Sequence, residues 1–184
     1  MLVPQNLAIA VLFIPMAIVI TYMDVRYRRI PNKLVLVTLI GGLALNTFFG
    51  GSHGLLVSLG GLALAFGLMF FFHAFGTMGA GDVKLFAAFG AVNGISVVLP
   101  TLLVVALTGG VLAICTMVYK RQVGTTMLRV LQFFYGLLPG QKVPRFDVPA
   151  DRSYTLPYAV PICFGSLVSF FLFRAGGASW NLLR

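Results

Sequence analysis

Six apolar runs, each 15 to 20 residues long, follow one another along the chain. A helix needs roughly 20 apolar residues to cross the hydrocarbon core of a bilayer, and a backbone in lipid must satisfy its own hydrogen bonds, as a helix does. Only 9% of the residues are charged, whereas a soluble domain carries about 25%. The sequence therefore predicts an all-α, polytopic helix bundle in a lipid bilayer, formed as a single domain over residues 1–184. The six predicted spans are 5–23, 33–49, 54–73, 84–98, 101–119 and 155–174.

Glycines within these runs predict close packing between helices. Gly90 and Gly94 form a small-xxx-small pair, and Gly-Gly pairs stand at 41–42, 60–61 and 109–110. Residues this small let the backbones of two membrane helices approach each other. We therefore expect helix contacts at these positions.

Basic residues are distributed unevenly among the connections between spans. Eleven of the thirteen lysines and arginines lie in or beside the first, third and fifth connections, and the second and fourth carry none. The positive-inside rule predicts that the basic side is cytoplasmic, which places both termini outside. The same distribution argues against nucleic acid as a partner, although the net charge is +9. The fifth connection, 120–154, is predicted to be a cytoplasmic loop, and its apolar spacing over 125–138 favours an interfacial helix.

The sequence lacks the groupings typical of metal or serine catalysis. Cys115 and Cys163 each lie inside an apolar run, and no CxxC pair is present, so a structural zinc site of the usual spacing is not expected. His53 is predicted on the outer side, and His73 lies near the third connection, where it could approach Asp82. The serines have no neighbouring His/Asp grouping. We therefore expect no metal and no cofactor.

The chain has four acidic residues, and two of them stand at the edges of apolar runs. Asp147 and Asp151 lie in the polar fifth connection, where a solvated charge is ordinary. Asp24 ends the first run, and Asp82 opens the fourth. A carboxylate near a membrane span needs a partner or a function because burying its charge is costly. One interpretation is that each acid forms an ion pair with a neighbouring base, for which Arg26, Arg28 and Lys84 are the candidates.

The second interpretation is an aspartate dyad. Two carboxylates that face each other share one proton, because like charges at short distance cannot both ionise. The ionised member can take a proton from water while the protonated member hydrogen-bonds the scissile carbonyl of a peptide. Gly79 and Gly81 precede Asp82 and would give the backbone freedom and leave space for an extended substrate. Asp24 and Asp82 are therefore the candidate catalytic residues.

Three segments carry a resemblance to a known family. The sequence DVRYRRIPN over Asp24–Asn32 and the sequence GAGDVKL over Gly79–Leu85 resemble the two active-site segments of type IV prepilin peptidases, which are membrane aspartyl proteases with a GxGD signature. The sequence LPYAVPI over Leu156–Ile162 resembles the proline-rich entry to their last span. The resemblance follows the whole chain in order.

The resemblance implies that the chain cleaves the leader peptide of a prepilin at the cytoplasmic face of the bacterial inner membrane. Asp24 and Asp82 match the family's catalytic pair, and the supporting positions are Gly79, Gly81, Lys84, Arg26, Pro31 and Asn32. Among these, Pro31 restricts the backbone and Asn32 can cap the following helix. Lys84 would balance the charge of the dyad or hold a lipid phosphate.

The chain departs from the long prepilin peptidases because it lacks their cytoplasmic insertion with paired CxxC motifs. It resembles instead the short form associated with Flp/Tad-type pili, and the absent insertion implies cleavage without N-methylation. Archaeal preflagellin peptidases are similar as well, so the resemblance leaves the exact pilin-like substrate open.

Two other functions stay open at this point. A transporter or channel would use the two acids as a cation or proton relay, although no acid lies in the outer half of any predicted span. A non-catalytic assembly subunit of a pilus or secretion machine would not need the aspartate pair. Neither the substrate nor the oligomeric state follows from the sequence.

Overall fold

A computed structural model describes residues 4–75, 78–119 and 158–175, and every regular element in these three ranges is helical. The helices are α1 (Pro4–Tyr27), α2 (Asn32–Ala74), α3 (Ala80–Asn93), α4 (Ile95–Tyr119) and α5 (Ala159–Ser169), and α5 continues as a π-helical segment, Phe170–Ala175. Three of them, α1, α2 and α4, are long and apolar enough to cross a membrane. The predicted 120–154 loop and its interfacial helix lie outside the described residues.

Helix α2 reverses direction at Gly51. Gly51 has φ +58° and ψ −143°, which is non-helical backbone that glycine adopts readily because it has no Cβ. Asn46 and Ser58 both hydrogen-bond the carbonyl of Ala91, although they would stand about 18 Å apart in one straight helix. The two arms of α2, 32–50 and 52–74, therefore fold back against each other. The reversal falls between the predicted second and third spans.

The boundary predicted between the fourth and fifth spans is wrong. The sequence placed it near Pro100, whereas α3 ends at Asn93 and α4 begins at Ile95. Gly94 makes the break, since its φ of +85° is left-handed and its amide bonds the Gly90 carbonyl at 2.9 Å. Pro100 lies inside the early part of α4, where a proline removes a single helix hydrogen bond.

Helix α3 is the centre of the bundle. All its residues from Leu85 to Asn93 are buried, and its 14 residues extend only about 21 Å. A Cβ added at Gly90 would overlap the Gly61 carbonyl oxygen and lie 2.6 Å from the Ala65 Cβ. The backbones of α2 and α3 therefore touch, as the glycine pattern predicted at these two positions. The pair at 109–110 is looser, because a Cβ at Gly109 would make only ordinary contact with Pro161 of α5, at 3.7 Å, and one at Gly110 would meet nothing within 4 Å.

Aromatic packing joins α1 to this centre. The Phe13 ring meets the Phe89 ring edge-on at a centroid distance of 4.7 Å, and the Phe170 ring at 5.9 Å. All three side chains are buried. The outward faces carry exposed apolar residues such as Val11 and Leu107, as expected for helices whose solvent is lipid. α1, α3 and α5 are thereby fixed against one another.

Candidate active site

Asp24 lies in the last turns of α1 and its side chain is 7% exposed. The helix runs past it to Tyr27, so Asp24 points into the bundle rather than standing in a loop. The amide of Ala159 donates a hydrogen bond to Asp24 Oδ2 at 3.1 Å across 135 residues of sequence. Ala159 is the first residue of α5, whose first amides have no partner within their own helix. Asp24 therefore satisfies the N-terminus of α5.

Asp82 lies in the first turn of α3 and is 9% exposed. Gly79 is the N-cap of this helix, and its backbone N–H hydrogen-bonds the Asp82 carboxylate. An acid at the third helical position that reaches back to the N-cap amide is one half of a capping box. Both aspartates thus bind helix N-termini, where the helix dipole favours negative charge.

The two acids, far apart in sequence, interact electrostatically. Burial, with the nearby charge of Asp24, raises the pKa of Asp82 from the ordinary 3.8 of an aspartate to about 6, and the Gly79 N–H opposes this rise. Tyr158, at the N-cap of α5, lies within electrostatic reach of Asp82. The Cys163 thiol hydrogen-bonds Thr21 and lies within reach of Asp24. The end of the bundle where α1, α3 and α5 meet therefore holds both predicted carboxylates.

The glycines before Asp82 differ in how closely the structure surrounds them. Neither Gly79 nor Gly81 has a positive φ, so backbone freedom is not what either position requires. A Cβ at Gly79 would stand 3.2 Å from Asp82 Oδ2, tight against the carboxylate. A Cβ at Gly81 would make only ordinary contacts with Ile30, at 3.5 Å or more. Gly79 thus makes room for the carboxylate, whereas the chain itself does not crowd Gly81, and the space for a substrate stays a prediction.

The remaining predicted site residues lie at the edge. Arg26, Asn32 and Lys84 are exposed. The cap prediction for Asn32 is wrong: Pro31 is the N-cap of α2, with an extended backbone and no side-chain capping bond, because Asn32 is already the first helical residue. Arg28 lies within electrostatic reach of Asp24, so of the three candidate bases the structure brings this one toward an acid.

Histidine and cysteine side chains do not build a metal site in the described part of the chain, where no group of three or more His, Cys, Asp or Glu could hold an ion. His73 Nδ1 hydrogen-bonds the Met78 carbonyl at 2.8 Å, just before Gly79. His73 therefore anchors Met78, which lies just before the N-cap of the helix that carries Asp82. His53 is exposed beside the reversal of α2.

Comparison with known families gives a match to the model of the type IV leader peptidase family over residues 11–114, more than half of the chain. The chain belongs to the type IV leader peptidase family. No curated protein and no solved structure matches the sequence. The matched region contains both Asp24 and Asp82 and ends inside α4, before α5.

The sequence missed two contributions to the candidate site, those of Tyr158 and Ala159. Both belong to the segment quoted above for its prolines, and neither was given a role. Their signal was the start of a helix after Pro157, which supplies unpaired backbone amides. Which acid those amides would bind could not be read from the sequence, because the contact joins opposite ends of the chain.

Proposed function

We propose that this protein is a membrane-embedded aspartyl endopeptidase that removes the leader peptide from a pilin-like substrate at the cytoplasmic face of the membrane. The observation that carries the proposal is that Asp24 and Asp82, both buried, lie at one end of the bundle within electrostatic reach of each other. Membership of the type IV leader peptidase family supports the substrate class.

The two carboxylates differ in surroundings, and this difference suggests separate roles. Burial disfavours the charge of Asp24, but the Ala159 amide donates to its carboxylate and Arg28 lies within electrostatic reach, and both contacts favour the ionised form. Asp82, with a pKa of about 6, holds a proton more readily. Asp24 would then accept a proton from the attacking water, while protonated Asp82 donates a hydrogen bond to the scissile carbonyl oxygen. Collapse of the tetrahedral species breaks the C–N bond, and the leaving amine takes the proton that Asp24 accepted from the water, which returns Asp24 to its ionised form.

The layout of the bundle supports cleavage at one membrane surface. Asp24 and Gln5 lie near opposite ends of α1, about 28 Å apart along a helix, which is close to the hydrocarbon thickness of about 30 Å. The basic first connection adjoins the Asp24 end, and the positive-inside rule makes that end cytoplasmic. Asn6 Nδ2 donates to the Arg174 carbonyl at 3.4 Å, so the two described ends of the chain share the other end of the bundle. This supports an outward position for both termini.

The test is co-expression with a candidate prepilin, followed by immunoblotting for the shortened product. Asp24→Asn and Asp82→Asn are each expected to abolish cleavage while the protein stays in the membrane, because neither acid performs both halves of acid–base catalysis alone. Asp147→Asn, which removes an acid from the polar fifth connection, is the matched control and should cleave normally. Chelators should have no effect. Near-normal cleavage by either active-site variant would reject the dyad and favour an assembly subunit.

A further inference from the structure

Arg174 makes three hydrogen bonds at the end of the bundle opposite Asp24. Its Nη1 donates to the carbonyls of Val92 and Asn93 at 2.8 and 2.6 Å, and its Nη2 donates to Asn46 Oδ1 at 2.6 Å. It belongs to the π-helical segment that extends α5. Arg174 is one of the two basic residues that lie outside the three basic connections, and the structure shows it inserted among helices.

Two of the three acceptors of Arg174 are the last carbonyls of α3, those of Val92 and Asn93. Such carbonyls have no partner within their own helix, and lipid offers no water to replace one. Asn46 Nδ2 donates to the carbonyls of Ala91 and Val92 at 2.9 and 3.1 Å, and the Ser58 hydroxyl donates to Ala91 at 2.5 Å. A cation at this position also complements the negative end of the helix dipole. We call Arg174, Asn46 and Ser58 the α3 clamp.

Helix α5 connects this clamp to the candidate site. Its first amide, at Ala159, binds Asp24, and its π-helical extension carries Arg174, which binds the C-terminus of α3. The first turn of α3 carries Asp82. The C-terminus of α3 is therefore held by the π-helical extension of α5. The start of α5 binds Asp24, so α5 links the positions of the two acids. An arginine placed among apolar helices costs free energy, and the proposed cleavage chemistry does not use it directly.

We propose that Arg174 is a positioning residue, which fixes α3 against α5 and thereby sets the place of Asp82 relative to Asp24. The inference rests on the proposed peptidase function, since it gives Arg174 a task in that reaction. Releasing the end of α3 would let the helix shift or tilt, and a displacement of about 1 Å at a catalytic group can cost about 100-fold in rate.

The test is a series at this position, Arg174→Lys, Arg174→Gln and Arg174→Met, with steady-state cleavage of a purified prepilin in detergent or nanodiscs. Lys keeps the charge and one donor group, Gln keeps a neutral donor, and Met keeps only the length. We expect the loss in kcat to be smallest for Arg174→Lys, larger for Arg174→Gln and largest for Arg174→Met, where it reaches up to about 100-fold. KM should stay within about twofold of wild type. Lys33→Met, which removes an exposed cation from the first turn of α2, is the matched control and should leave kcat unchanged.

Hydrogen–deuterium exchange gives a second readout that does not depend on activity. Peptides from α3 should exchange faster in Arg174→Met, or in Arg174→Gln if the Met variant does not insert, while peptides from the middle of α1 keep their protection. Unchanged kcat in a folded variant, or reduced kcat with unchanged exchange in α3, would overturn the positioning role. If wild type and Asp82→Asn show the same cleavage, the proposed function itself has failed, and exchange in α3 still reports whether the clamp exists.

Discussion

Replacing Asp82 by asparagine should make the protein more stable at neutral pH while it abolishes cleavage. Because the pKa of Asp82 is raised by burial and by Asp24, the folded state binds the Asp82 proton more tightly than the unfolded state does. Stability from this group is therefore fully present below the unfolded pKa of 3.8 and is lost as the pH rises toward the folded pKa of about 6. Asparagine removes the ionisation and keeps an oxygen that can accept the Gly79 amide.

The size of the effect follows from the two pKa values. A difference of one pKa unit corresponds to about 1.4 kcal/mol, so the rise from 3.8 to about 6 gives a gain of about 3 kcal/mol for Asp82→Asn at pH 7. At pH 4, close to the unfolded pKa, most of this gain is absent because the carboxyl is largely protonated in the folded state. In a chain of this size, a gain of about 3 kcal/mol raises the thermal midpoint by roughly 6 to 12 °C.

The protein carries its own reporter for this measurement. Cys163 is 2% exposed and Cys115 is exposed, so in a Cys115→Ser background a thiol-reactive dye reports unfolding through Cys163. Thermal midpoints are compared with and without the Asp82→Asn substitution in one detergent. The dye is used at pH 7, and circular dichroism is used at pH 4 and pH 7, because the thiolate that reacts with the dye is scarce at pH 4. If Asp82 instead served in an ion pair with Lys84, the substitution would lower the midpoint at pH 7. A lower midpoint, or a gain of equal size at pH 4, would refute the reasoning.

Three further results are expected. Gly90→Ala should lower the thermal midpoint, because overpacking against the Gly61 carbonyl costs about 1 to 3 kcal/mol of stability. Gly110→Ala, where the added methyl group meets open space, should leave the midpoint unchanged. Equal effects of the two substitutions would contradict the packing argument. Cysteine labelling in intact cells should find residues 26–32 protected from an impermeant reagent and residues 50–53 labelled, and the reverse would overturn the orientation. Mass spectrometry of the mature pilin should show cleavage without a methyl group, and methylation by this chain alone would reject the comparison with the short form.

The helical membrane character of the chain followed from its sequence alone. Long apolar runs with few charges leave the backbone no partners but its own, and helices provide them. The prediction of Asp24 and Asp82 as the candidate catalytic pair also came from the sequence, because a carboxylate at the edge of an apolar run is costly and both residues lie in segments that resemble those of a known family. The sequence placed Asn32 as a cap and Pro100 near a boundary, and both were wrong, because local propensity does not settle where a helix begins when tertiary contacts compete.

The pairings between helices were decided by the tertiary structure. A membrane helix is apolar both toward lipid and toward its neighbours, so the sequence carries little information on which face meets which helix. Nothing local to Asp24 points to the Ala159 amide, and nothing near Arg174 points to the end of α3. A lone arginine in an apolar run indicates that a buried partner exists. Every residue has a backbone carbonyl that could be this partner, so the sequence does not identify it. Only the folded arrangement of α3 and α5 selects the carbonyls of Val92 and Asn93.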